Sequence, residues 1–315
     1  MRTVLVTGGN GFIGRYVVEE LLWRGYSVSV LDTRWRPGAE GSTVVLGDIR
    51  DEVAVTEAAA HADGIIHLAG VLGTQETIKN PRPAAATNIL GGLNVMEAAL
   101  QYGLPMVNIA VGNYWMNNTY SISKNTVERF AEMLNRFRGG RIAVVRALNA
   151  YGPRQVPAAP FGPSKVRKIM PSFICRSLAG EPIEVYGDGS QIMDMIYVAD
   201  VAKVLVTALE STAAGGPLTT IDGATFEAGT GRATTVNDVA MAVAAEIDAQ
   251  TGTRPLITHL PMRPGEDERS VVLGKPETLT AIGINPDDFV TLEEGVRATV
   301  AHFLEQGVAV ELVPH

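Results

Sequence analysis

Short apolar runs alternate with longer stretches of helical period over the first half of the chain. TVLVT (3–7) reads as a buried strand. Ile13, Val17, Val18, Leu21 and Leu22 then fall on one helical face, and Gly25 ends that helix ahead of a second strand, SVSVLD (27–32). DGIIHLAG (63–70) and LPMVNIA (104–110) are further strands, with a helix over about 84–102 between them, closed by ALQYG. The segment after Tyr120 is helical to about Arg138, where Gly139-Gly140 stops it, and RIAVVRALN (141–149) is the next strand. Strands alternating with helices predict an α/β fold whose parallel sheet is covered on both faces. From Tyr151 the texture changes, because YGPRQVPAAPFGPSK is rich in Pro and Gly. The expected division is a first domain over 1–150 and a second region over 151–315. Segments near 190–210, VADVAKVLVTALE (198–210) among them, are expected to pack back on the first domain.

Composition narrows the class. The chain has 315 residues, of which 46% are hydrophobic, enough for a sizeable core in one large domain or two smaller ones. A net charge of -8 argues against nucleic acid or an anionic membrane as the main partner. The one cysteine, Cys175, excludes an internal disulfide and points to a reducing compartment. It lies in the apolar run SFICRSL, which makes it a buried structural thiol. MRTVLVTGG stops at glycines without the length or cleavage pattern of a signal peptide, and no apolar run has the length of a membrane span. The expectation is a soluble cytoplasmic protein. His67 reads as structural, and no His, Cys or carboxylate spacing points to a metal.

The chemistry begins at Thr7-Gly8-Gly9-Asn10-Gly11-Phe12-Ile13-Gly14, between a predicted strand and a predicted helix. Gly8, Gly11 and Gly14 allow a tight turn and close approach of a pyrophosphate, which the helix N-terminus favours with free amides and its dipole. Asp32 ends the second strand, where a carboxylate can accept both ribose hydroxyls. It favours NAD over NADP, a preference softened by Arg34 and Arg36. Asp48 and Ile49 follow another apolar run and are placed to hold the adenine edge. Further on, Tyr120 and Lys124 form a Tyr-x-x-x-Lys pair on one helical face. A free tyrosine has a pKa of about 10, too high for a base at neutral pH. The lysine's charge, with that of an oxidised nicotinamide, is expected to lower it, so that Tyr120 takes a proton from a substrate hydroxyl.

These stretches together resemble the extended short-chain dehydrogenase/reductase family, and within it the nucleotide-sugar epimerases and dehydratases. The resemblance is carried by TGGNGFIG (7–14), LD (31–32), GDIRD (47–51), HLAG (67–70), TNILGGLNVMEAA (87–99), YSISK (120–124), VRALNAYGPRQ (145–155), VYGDGSQIMDMIYVADVA (185–202), EAGTGRATTVNDVA (227–240) and RPGE (263–266). They run in the family's order over nearly the whole chain. The resemblance implies a Rossmann-type, doubly wound parallel sheet with a smaller C-terminal region that closes over a nucleotide-sugar. It implies a homodimer formed through the helix of Tyr120 and the helix before it. It places Phe12, Ile13, Leu68, Ala69 and Gly70 at the cofactor, with Asn88 supporting the proton path near Lys124. Lys124 would hold the cofactor ribose. The substrate would meet Asn149, Arg154, Val185, Tyr186 and Arg263.

Two departures from the family pattern bear on the reaction. The strand before the tyrosine usually ends in a Ser/Thr pair, whose second hydroxyl bonds the reacting oxygen. Ala110 and Val111 stand there, and only eight residues (112–119) separate Val111 from Tyr120, a shorter loop than the family's. Loss of one such donor costs roughly 10²–10³ in rate. Asn113, Asn117, Thr119 or a substrate hydroxyl could substitute. Met193 stands where the family has a phosphate-binding arginine, and a thioether cannot make that bond. Relatives that dehydrate sugars carry Asp-Glu after the Thr, and decarboxylating relatives keep a carboxylate; here the residues are Gly112-Asn113. The expectation is an NAD-dependent epimerase acting at C4, by transient hydride transfer to bound NAD and return to the opposite face. The alternatives are a dehydratase, decarboxylase or keto-sugar reductase, or a catalytically weak NAD-binding sensor or scaffold.

Overall fold

The computed structural model of the chain describes residues 1–36, 40–219, 225–263 and 269–307. They form two compact units. The first takes in the described residues of Met1–Ala147, Val198–Ala228 and Lys275–Asp287; the second takes in those of Leu148–Tyr197 and Gly229–Gly274 and those from Asp288 to Gly307.

The first unit is built on seven strands. In chain order they are β1 (Thr3–Thr7), β2 (Ser27–Asp32), β3 (Ser42–Leu46), β4 (Gly64–His67), β5 (Met106–Val111), β6 (Ile142–Ala147) and a last strand at Phe226–Ala228. Across the sheet the order is Phe226–Ala228, β6, β5, β4, β1, β2, β3, and all neighbours are parallel. This is the doubly wound Rossmann order that the alternation and the resemblance predict. The chain winds outward one way from β1 through β2 and β3, then the other way from β4. That reversal opens a crevice at the carboxyl ends of β1 and β4, where such sheets bind ligands.

Burial follows from position in the sheet. β4 and β5 are buried along their whole length, because helices cover both of their faces. β3, at the edge, is largely exposed. On one face, α2 (Glu52–Ala59) presents Val55 and Ala59 to a core that includes Leu5, Leu31, Ile65 and Met106. The next helical run, Pro81 to Gln101, starts three residues before the expected 84, with prolines in its first turn where their missing N–H costs nothing. It has three parts: α3 (Pro81–Ala84), a π-helical stretch at Ala85–Gly91, and α4 (Gly92–Gln101). The wider turn in the middle leaves no mark on the apolar period. Next comes α5 (Thr119–Arg138), whose N-cap Asn118 accepts from Ser121 N at 2.9 Å. It ends at Gly139, whose φ of 69° suits glycine. Val95 and Met96 of α4 and Val127, Ala131 and Leu134 of α5 complete this core. α1 (Phe12–Trp23) packs against helix Val198–Ala213, and Arg24 just past its end bonds Glu210 at 2.5 Å.

In the second unit the helices Ile169–Leu178, Val236–Thr251 and Leu292–Gln306 pack around a core of Tyr151, Phe173, Val185, Val243, Val300 and others. The last two helices open with a capping box, Thr235 with Asp238 and Thr291 with Glu294. Cys175 is buried here, and burial pushes its thiol up to about 12, as suits a structural cysteine. The fully buried Asp194 ties loops of this unit together. Its carboxylate accepts from Thr230 N (2.8 Å), Thr230 Oγ1 (2.7 Å), Gly231 N (2.9 Å) and Gly274 N (3.1 Å).

Among the described residues, no helix is long and apolar enough to cross a membrane, and no group of three His, Cys, Asp or Glu side chains could hold a metal ion.

Candidate active site

At the carboxyl end of β1 the chain turns at Gly8, where φ is 72°. A Cβ there would lie 2.7 Å from Ala69 N, so the first glycine brings β1 against the Leu68–Gly70 segment that leaves β4. A Cβ on Gly14 would lie 2.3 Å from Gly8 O, so the third glycine lets α1 sit on the turn itself. Gly11 caps α1 without a side-chain hydrogen bond, and the first turn has no acidic residue. The amides of Phe12, Ile13 and Gly14 therefore have no partner within the helix and are available to an anion. A dinucleotide's pyrophosphate fits this cradle. Beside it, the buried Asp32 carboxylate is oriented by Asn10 N at 3.1 Å and Arg34 N at 3.0 Å, as a ribose acceptor requires. Ile49 is buried, with its carbonyl held by Asn94 Nδ2 at 2.9 Å. The Asp48 carboxylate is turned to Arg50, with Nη2 at 2.6 Å, and that pairing lowers its pKa. An adenine contact at this position therefore meets a charge that Arg50 already neutralises.

Tyr120 and Lys124 stand in the first two turns of α5. Asn88, inside the π-helical stretch, connects their helix to Val71, in the segment that leaves β4. Its Oδ1 accepts from Val71 N at 2.7 Å, and its Nδ2 donates to Val71 O at 3.1 Å and to Ser123 Oγ at 2.9 Å. Ser123 Oγ donates in turn to Tyr120 O at 2.9 Å. A polar chain thus runs from the segment after β4 to the backbone of Tyr120. Ser123 is a member that the Tyr-x-x-x-Lys reading passed over, although it lies between the two residues.

Burial governs the titration of both. It raises the half-buried Tyr120 phenol above its ordinary value. It lowers Lys124 to about 8, partly opposed by Glu128 one helical turn on. Burial thus pushes each group toward its neutral form. His67 lies beneath them, with Nδ1 2.6 Å from Thr7 Oγ1. Burial first, and the Lys124 charge second, lower it to about 3 from 6.5. Between those values the unfolded chain takes up a proton that the folded chain refuses. Stability is then insensitive to His67 above pH 6.5 and falls as pH drops toward 3. Each pKa unit is worth about 1.4 kcal/mol, so the loss amounts to several kcal/mol. His67→Asn is expected to flatten this dependence in denaturant titrations between pH 6.5 and about 4; an unchanged slope would remove His67 as its source.

Val111 ends β5 and is buried. Of the side chains considered as substitutes for its missing hydroxyl, Thr119 donates to Thr77 O at 3.1 Å and Asn113 Nδ2 lies 3.4 Å from the Met116 sulfur. Asn117 is exposed. The turn itself is held through Tyr114, whose ring lies under the Arg146 guanidinium at 3.7 Å.

In the second unit, strand alternation sends Val185 into the core, fully buried, and leaves Tyr186 partly exposed. Any contact that Val185 makes with a ligand is therefore through its backbone, whereas the Tyr186 side chain is partly open. Tyr186 carries the Arg263 guanidinium over its ring at 4.6 Å, and its hydroxyl accepts from Arg167 Nη1 at 2.6 Å. Residues 264–266 of the RPGE stretch lie outside the described residues. Asn149 is fixed to Asp194 O by its backbone N at 3.1 Å and its Nδ2 at 3.3 Å. Arg154 adopts a positive φ of 66°, uncommon for a residue other than glycine.

Residues 4–222 match the model of the NAD dependent epimerase/dehydratase family. Among solved structures, the UDP-glucose 4-epimerase of Thermus thermophilus in complex with NAD is 32% identical, with a TM-score of 0.80 over 96% of this chain and 99% of that one. The UDP-glucose 4-epimerase of Thermotoga maritima with UDP-glucose is 29% identical, with a TM-score of 0.82 over 96% and 99%. A dTDP-glucose 4,6-dehydratase of Streptomyces antibioticus is 31% identical over 62% of this chain and 65% of its own length.

Proposed function

The chain belongs to the NAD-dependent epimerase/dehydratase family and is an NAD-dependent enzyme of nucleotide-sugars, and from that premise we propose that it is an epimerase acting at C4 of a hexose-type sugar. The observation that carries this reading is a redox pair without an eliminating group. Tyr120 and Lys124 are kept, while residues 112–119 (GNYWMNNT) contain no carboxylate. Loss of water or carbon dioxide calls for a further acid or base beside the sugar. Epimerisation calls only for one proton to leave a hydroxyl and return to it.

In this reading Tyr120 holds and moves that proton at its phenol oxygen, and the Asn88–Ser123 chain fixes the backbone that carries it. Lys124 holds the cofactor ribose. The glycine turn and the amides of Phe12 and Ile13 bind the pyrophosphate, and Asp32 binds the adenosine ribose. NAD, when bound, supplies the reversible hydride acceptor and a positive charge beside the phenol. Asn149, Arg154, Tyr186 and Arg263 belong to the nucleotide-sugar side. Exposed Leu90, Ile122, Met133 and Phe137 give the helices around Tyr120 an apolar face that suits a homodimer, and a monomeric mass by sedimentation would overturn that part.

The test is incubation of the purified protein with NAD and UDP-, dTDP-, GDP- and ADP-sugars, with products separated by chromatography and mass. The expected product is an isomer of equal mass with no net NADH. Loss of water or carbon dioxide would replace the epimerase with a dehydratase or decarboxylase. NAD binding without any product would favour a sensor or scaffold.

A further inference from the structure

We propose that Arg146 is a positioning residue for the catalytic segment: it clamps Tyr114, in the short turn between β5 and α5, to Glu128 on α5, and so sets where that turn lies beside Tyr120. Its catalytic consequence rests on the reading of Tyr120 given above; the clamp itself does not.

Arg146 is the next-to-last residue of β6, and its side chain is only 14% exposed. All three guanidinium nitrogens are engaged in the plane of the group. Nε reaches Glu128 Oε2 at 3.1 Å, Nη2 reaches Glu128 Oε1 at 2.5 Å, and Nη1 reaches Glu227 Oε1 at 3.2 Å. A planar cation whose edges serve carboxylates has only its faces left, and those suit an aromatic ring. Tyr114 covers one face, its ring centroid 3.7 Å from the guanidinium carbon. The carboxylates are fixed in their turn. Glu128 Oε1 accepts from Thr225 Oγ1 at 3.0 Å, and Glu227 Oε2 accepts from Lys275 N at 2.8 Å. A cation held from three sides in a poorly solvated place attracts a ring more strongly than one in water.

The position of this clamp gives it functional weight. Its aromatic end lies in the eight-residue connection (112–119) that begins where the strand hydroxyl is missing. Its carboxylate end lies one helical turn beyond Lys124, and Glu128 is the charge that opposes the effect of burial on that lysine. With no hydroxyl on Val111, the oxygen-facing donor must come from the turn or from the substrate, and in either case the turn's path sets the geometry. Small misplacements of reacting groups are costly in rate.

Removing Arg146 would strand two carboxylates that are only 12% and 14% exposed, so the informative variants are at Tyr114. Tyr114→Phe keeps the ring; Tyr114→Leu keeps apolar volume and loses the π face. In a Trp23→Phe/Trp35→Phe background, Trp115 is the only tryptophan left of three, and it stands edge-on to Tyr114 at 5.4 Å. Quenching of its fluorescence by acrylamide is expected to rise in Tyr114→Leu and to stay at the parent value in Tyr114→Phe. With the sugar found active above, kcat is expected to fall roughly tenfold in Tyr114→Leu, with the Kd for NAD unchanged, and to recover within about twofold in Tyr114→Phe. Equal quenching in the parent and Tyr114→Leu would overturn the clamp. Raised quenching with an unchanged kcat would overturn the positioning role. A parent that turns over no nucleotide-sugar would sink the proposed function, and the catalytic part of this role with it, while the quenching comparison would still decide the clamp.

Discussion

Tyr120→Phe is expected to lower turnover of the active sugar by roughly 10²–10⁴-fold, the range for loss of a positioned acid or base. NAD should remain bound at near its original affinity. Burial favours the neutral phenol, so its proton moves most readily to a group brought directly against it. Phenylalanine keeps the ring in its crowded place and deletes that proton alone. The backbone bond from Ser123 Oγ to Tyr120 O is untouched, so α5 and Lys124 should keep their positions. Turnover would be measured by product separation and NAD affinity by calorimetry. Unchanged turnover would remove Tyr120 as the proton carrier. Turnover lost together with NAD binding would reassign it to holding the cofactor.

Gly14→Ala is expected to weaken NAD binding by roughly 10–100-fold, the equivalent of the 1–3 kcal/mol that an extra methyl costs in a packed place. The methyl would meet Gly8 O at 2.3 Å and Gly9 Cα at 2.7 Å, and both are backbone atoms that cannot rotate aside. Relief requires α1 to lift off the turn, which moves the free amides of Phe12 and Ile13 away from the pyrophosphate. Gly25→Ala is the control: nothing lies within 4 Å of its Cβ, and its left-handed φ of 84° affects the end of α1 far from the cradle. It should lower stability slightly with NAD affinity intact. Equal NAD affinity in Gly14→Ala and the parent, by calorimetry, would show that the turn can widen without loss.

Much of the first unit could be read from the chain because local signals agreed with the tertiary result. TVLVT, SVSVLD and the buried runs at 64–67 and 106–111 are apolar since the sheet is covered on both sides. Asn118 and Gly139 mark the ends of α5 with side-chain and backbone chemistry that a sequence displays openly. Other features depend on partners distant in sequence. The Arg146 cluster joins residues from 114, 128 and 227, and no periodicity links them. Ser123 carries no signal of its own inside the Tyr-x-x-x-Lys motif, because its role appears only when Asn88 arrives from another helix. Val185 and Tyr186 are adjacent in sequence, yet strand alternation buries the first and leaves the second half-buried. The sequence places Lys124 and Tyr120 together, but it does not display the burial that pushes each toward its neutral form.

The wider turn at Ala85–Gly91 makes the helical run between Pro81 and Gln101 a device of angular phase. An α-helix advances about 100° per residue, so one residue more or fewer rotates everything beyond it by that angle. Asn88 is aimed at Val71 and Ser123, while Gly92 faces His67 and Val127, and both aims hold only with the π-turn between the flanking α-turns. Deleting a residue there would give a more regular helix with one of its two faces turned away from its partners. Point substitutions on this run are local in effect, whereas changes in its length act on the cofactor loop and the sheet core together. Homologous chains of this architecture should therefore tolerate insertions in the edge connections near β3 far better than between Pro81 and Gln101.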